Sequence, residues 1–166
     1  MKPTILVLVL MSLMSNIFSQ NTGAIKLIVL PAKVNSDSIE VIVQVKNVSD
    51  ASLIFYKPYL DLVNFHIINI TAYREKPKDS VNYWSDNSQL DRIEAHRKNY
   101  DLLKPGDEKQ YFFPLDRKLF YSKRSDKKFK KISVEIDYAN SEIVCMDCDL
   151  PPFHGSLKAD NVILYE

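Results

Sequence analysis

Cys145 and Cys148 bracket Met146 and Asp147, and His154 follows shortly after. Two thiolates and an imidazole are soft or borderline ligands suited to zinc or copper, and Met146 would add a thioether for copper(I). A structural zinc site wants four ligands. The fourth would come from Asp147, Asp149, His66 or His96, none of which the spacing singles out. The same Cys-x-x-Cys spacing also suits a local disulfide or a redox-active dithiol. Lowering a thiol pKa in such a motif usually takes a helix N-terminus, and Pro151-Pro152 arrive too soon for one. In a chain bound for an oxidising compartment the reading is a Cys145–Cys148 disulfide, with the Cys145/Cys148/His154 metal site as the alternative. So small a ring contributes about 2 kcal/mol or less on the loop-entropy estimate, enough to tidy a turn but not to hold a fold.

Other constellations are weaker. Arg117 to Lys131 holds eight cations against Asp126 alone, whereas residues 132–149 carry five acids and no base. Two such runs on an antiparallel return partly neutralise one another, so a solvated hairpin is expected, with a polyanion-binding patch beside Phe120 and Tyr121 as the alternative. Trp84, the sole tryptophan, follows Tyr83 in a polar stretch. It either plugs an open end of the fold or, with Tyr83, forms a contact surface. Asn47-Val-Ser and Asn69-Ile-Thr match the N-glycosylation pattern. The second lies in an expected central strand, where a glycan would not fit. Neither a His-Glu-x-x-His nor a Gly-x-Ser-x-Gly motif occurs, and three glycines cannot build a phosphate cradle. The expectation is a non-enzyme that needs no cofactor.

These residues are carried by short strands. Ser38–Lys46 alternates with period two, placing Ile39, Val41, Val43 and Val45 on one face, with Ile42 the exception. Phe129–Tyr138 does the same with Ile132, Val134, Ile136 and Tyr138, and Lys109–Leu115 with Tyr111, Phe113 and Leu115. Phe65–Tyr73 is apolar on both faces, which predicts a central strand. Ala24–Leu30, Ser52–Tyr56 and Asn161–Tyr165 complete the set. Leu103-Lys-Pro-Gly-Asp107 is the strongest turn signal, because Pro105 fixes φ and Gly106 accepts a positive one. Arg74–Tyr100 is irregular, with Ser88–Arg97 readable as a short helix or an edge hairpin. The pattern predicts an all-β, antiparallel, immunoglobulin-like β-sandwich of about seven strands with one long irregular insertion. A closed barrel is the competing architecture.

The succession Val45-Lys-Asn-Val-Ser-Asp50, Phe65–Tyr73, Leu103-Lys-Pro-Gly-Asp-Glu108 and Ile132–Tyr138 resembles small immunoglobulin-like sandwiches of bacterial exported proteins. It is similar in the same way to the BsuPI-type proteinase-inhibitor domain, over roughly residues 39–138. That resemblance implies a binding or inhibitory role. The Arg74–Tyr100 insertion and the cysteine-bearing tail depart from the inhibitor pattern, so no functional residue carries over.

Residues 1–19 place Lys2 before an apolar run from Ile5 to Met11 that continues through Leu13 and Met14. At about half the ~20 residues needed to cross a bilayer, this run reads as a secretory signal peptide, cleaved between Ser19 and Gln20. Residues 20–166 then form a single domain. The chain has 22 Lys and Arg against 21 Asp and Glu, and losing Lys2 leaves a neutral mature protein. Neutrality removes any global pull towards nucleic acid or an anionic membrane. The expected product is a secreted or periplasmic binding module without a membrane or lipid anchor, whose partner is another protein or a cell-surface glycan.

Overall fold

A computed structural model describes residues 23–59, 62, 67–73, 80–83, 92–120 and 129–165. The expected leader, Trp84, His66, Tyr121 and most of the basic run lie outside these residues. The fold is predominantly β, and its sheets are mainly antiparallel. Among the described residues no helix is long and apolar enough to cross a membrane.

Among the described residues there are twelve strands: β1 (Ile25–Val29), β2 (Ala32–Val34), β3 (Ser38–Asn47), β4 (Leu53–Tyr56), β5 (Ile68–Tyr73), β6 (Val81–Asn82), β7 (Ile93–Ala95), β8 (Tyr100–Leu103), β9 (Glu108–Asp116), β10 (Lys131–Asp137), β11 (Ile143–Cys145) and β12 (Ser156–Tyr165). Eight belong to one sheet in the order β1-β3-β2-β12-β10-β5-β6, with β9 on the other side of β3. β4 pairs β8 antiparallel, and β11 pairs β7 in parallel. The strand count thus exceeds the seven expected, because several elements are only two to four residues long.

The alternating runs bury the predicted faces. Ile39, Val41, Val43 and Val45 of β3, and Ile132, Val134 and Ile136 of β10, are all fully or almost fully buried. Together with Tyr138, Phe113, Leu115, Ile68 and Ile70 they meet in one hydrophobic core. β5 is central as expected, paired to β10 on one edge and β6 on the other. Asn69 on its outer side is nevertheless exposed, so that position is less enclosed than its strand implied. Ser88–Arg97 yields neither a helix nor an edge hairpin in its described part. Ile93–Ala95 instead forms the parallel pair with β11, followed by a 3-10 turn at Arg97–Asn99.

The turn between β8 and β9 is closed by hydrogen bonds of its own and by bonds from the end of β3. Between Lys104 and Asp107, Gly106 has φ 84° and the Asp107 N–H donates to the Lys104 carbonyl at 2.9 Å. A positive φ at that position is the type II geometry Pro-Gly favours. The preceding half of the chain is tied to this turn by Asn47, whose N–H donates to Asp107 O and whose carbonyl accepts from Gly106 N–H, both at 3.0 Å. At the sheet edge, β9 carries Pro114, which withholds a donor from any strand that would add there.

Candidate functional site

The connection from β10 to β12 holds the cysteine motif, and its base is closed before the motif begins. The Asp137 carboxylate accepts from Ala139 N–H, Asn140 N–H, the Asn140 side-chain amide and the Ser156 hydroxyl. One side chain thereby ties both ends of the connection. Burial alone would raise the Asp137 pKa, but these hydrogen bonds from Ser156, Asn140 and Ala139 outweigh it and hold the carboxyl below its usual range. Above that base the Tyr138 N–H donates to Gly155 O at 3.0 Å. A Cβ at Gly155 would meet the far end of the Phe153 ring at 2.9 Å, so a larger residue there would displace that ring.

The middle of the connection is laid on β7. Glu142 O accepts from Ile93 N–H, and Met146 N–H donates to Ala95 O, both at 2.9 Å. Asp147 then accepts from the Arg97 N–H at 2.6 Å, and its other oxygen lies 3.6 Å from His96 Nδ1. Further on, Phe153 N–H donates to Ile54 O at 2.8 Å, and the Phe153 ring packs 5.8 Å from that of Phe55. The result is a projecting loop held at its base, middle and exit.

Cys145 and Cys148 are joined as a disulfide, with Cα atoms 5.7 Å apart. Their sulfurs and an Asp147 carboxylate oxygen lie within 4.8 Å of one another, so Cys145, Asp147 and Cys148 are the group of potential ligand atoms found among the described residues. His154 is exposed and stands outside this trio, contrary to the expected ligand set. The imidazole that reaches the motif belongs to His96, through Asp147. Because the sulfurs are bonded to each other, the oxidised loop offers no thiolate, and thiolate is the form that binds zinc or copper.

Tyr83, expected beside Trp84 at a contact surface, is only 8% exposed. It forms a bridge with Phe120, their rings meeting edge to face at 5.0 Å, and is part of the core. Asn47 is fully buried, so its glycosylation motif is structural.

A further group has no counterpart among the expected sites. Tyr56 packs edge to face against Tyr100 and Tyr138, and Tyr138 edge to face against Phe55, whose ring lies 6.2 Å from that of Tyr111. The Tyr138 hydroxyl donates to Tyr56 O, and that of Tyr111 to Asp101. Burial drives the phenol pKa of each of these tyrosines up, and the Asp101 charge adds to the effect at Tyr111. They stay neutral at ordinary pH. The loop has a different character: Val144, Met146 and Leu150 are 37%, 54% and 36% exposed, on a segment braced by the disulfide.

Comparison with protein-family models, with curated proteins and with solved structures gave no match to this chain.

Proposed function

We propose that this is an exported, non-catalytic binding module with an immunoglobulin-like sandwich frame, which engages another protein through residues 143–150. The strand grouping supports the frame. β1, β3 and β9 neighbour one another, as do β5, β10 and β12, matching the A-B-E and C-F-G sets of immunoglobulin sheets. In that frame the 138–155 connection joins the last two strands at one end, where such folds carry recognition loops. The leader pattern of residues 1–19 and a disulfide both suit an oxidising compartment.

The observation that carries the reading is the exposure of Val144, Met146 and Leu150 on one loop pinned by Cys145–Cys148 and by the contacts to Ala95 and Arg97. A pinned loop loses little entropy on binding. Aliphatic and thioether side chains favour a protein over a glycan. Glu142, Asp147 and Asp149, with no cation between residues 132 and 149, favour a partner whose surface mixes basic and apolar groups. A photo-crosslinking residue at position 146 would capture that partner in the producing cell, whereas the same residue at Glu135 on the sheet would not. Equal capture from both positions would refute the assignment.

A second reading rests on the Cys145/Asp147/Cys148 trio. Reduction of the disulfide would free two thiolates beside a carboxylate, a soft ligand set for zinc or copper(I). Stoichiometric zinc in the reduced protein, absent from the oxidised protein and from Cys148→Ser, supports it. No uptake by the reduced protein removes it.

A further inference from the structure

Ile42 broke the otherwise regular alternation of β3, and the structure gives it a setting. Since Ile39, Val41, Val43 and Val45 are buried, Glu40, Ile42, Gln44 and Lys46 lie on the outer face of the sheet. Ile42 is paired across to Phe112 of β9, which is 57% exposed, the largest exposure of any bulky apolar residue described. On the other side, Leu30 N–H donates to the Ile42 carbonyl at 3.0 Å. Leu30, Ile42 and Phe112 therefore form an apolar row across three strands, and half-buried Ile28 lies beside it.

The polar neighbours of this row already satisfy one another. The Gln110 amide donates to Gln44, the Gln44 amide donates to Glu108, and Lys46 pairs with Glu108 at 2.7 Å. The two glutamine amides can therefore be covered without losing these partners, while the Lys46–Glu108 pair stands at the rim, four positions from Ile42.

The geometry points to self-association through this face: a second copy of the chain, related by a two-fold axis through the Ile42–Phe112 row, covers it. The register supports a two-fold arrangement. The Lys26–Lys46–Glu108 row lies four positions along β3 from Ile42 in one direction, and the Ser38–Asp116 row four positions in the other. Lys46 is neutralised by Glu108, and Lys33 stands across from Glu40, so the unbalanced charges are Lys26 at one end and Asp116 at the other. A two-fold axis at the centre lays each positive end over the partner's negative end, making the surface self-complementary. Three strands over this length present roughly 27 Å by 14 Å, or about 400 Å² a side in projection. At about 800 Å² in total this is smaller than a stable interface, so the association is a weak, transient one that only high protein concentration populates.

Sedimentation equilibrium from about 1 to about 200 μM reads this association. The native chain should pass from monomer to dimer, and Phe112→Glu should remain monomeric throughout. Ile42→Gln provides a second test should Phe112→Glu fail to fold. Lys26→Glu should weaken the dimer about tenfold, and the double variant Lys26→Glu/Asp116→Lys should recover it, as expected for rim charges that set register. A native chain monomeric at every concentration overturns the inference, as does a dimer indifferent to Phe112→Glu and Ile42→Gln. Failure of the double variant to recover overturns the two-fold arrangement. Val144→Ser/Met146→Ser should leave the dimer unchanged, which separates this inference from the proposed partner contact of the loop.

Discussion

The side-chain amide of Asn47, at the end of β3, donates to the carbonyl of Leu103, at the end of β8, at 2.9 Å in the fully buried interior. The same amide donates to Ala51 O, and its oxygen accepts from the Ser49 N–H and hydroxyl. One asparagine thus closes its own turn and joins it to the Pro105-Gly106 turn. Asn47→Ala leaves the Leu103 carbonyl buried without this donor. It should lower unfolding free energy by about 2–4 kcal/mol in urea titration, within the range for breaking a buried hydrogen-bond network. A loss below about 0.5 kcal/mol would show that water replaces the amide.

The same burial decides the glycosylation question. Expressed in a secretory eukaryotic host, the protein should carry no glycan at Asn47, since its amide nitrogen is enclosed and makes two donor bonds. Intact-mass analysis of Asn47→Gln against the parent checks this: any glycan present should survive the substitution.

Reducing Cys145–Cys148 should cost about 2 kcal/mol or less, since the loop it closes is tiny. The effect should be local. Amide exchange should quicken at Ile93, Met146 and Arg97, whose N–H groups hold the loop to β7, while β3 and β10 keep their protection. Uniform quickening across both strands would give the disulfide a global role.

Stability should fall at both ends of the pH scale, for separate reasons. Asp137 has a native pKa below its unfolded value of about 3.9. Its contribution is present above that value and is lost as pH falls through the native one. Asp137→Asn should flatten this acid limb. Tyr56, Tyr100, Tyr111 and Tyr138 have native values raised above about 10. Their contribution is complete below that value and declines as pH rises towards the native values, because the unfolded chain ionises first. Phenolate absorbance from these four tyrosines, isolated by comparison with their Phe variants, should therefore appear together with unfolding, and not before it.

Much of the frame was legible because burial on one side of a strand imposes period two, and β3, β9 and β10 obey it over seven or more residues. β12 was legible only at its end. Its register against β10 jumps between Ile132↔Val162 and Val134↔Ala159, so Leu157 and Ala159 fall out of phase with Val162. β7 and β11 are three residues each, too short for any period, and their pairing brings His96 to Asp147 from about fifty positions away. That long-range pairing, and the gathering of Tyr56, Tyr100 and Tyr138, belong to topology and leave no mark in local spacing. The expectation for Tyr83 failed because a polar stretch hid its pairing with Phe120. The cysteine pairing was readable because it is local.

The most direct test of the account is capture of a partner from the producing cell by the native chain and by Val144→Ser/Met146→Ser. The substituted side chains are exposed, so both proteins should melt alike. The account predicts that the native chain retains a partner, weakened by salt, and that the double variant loses it. Equal retention by both proteins would contradict it.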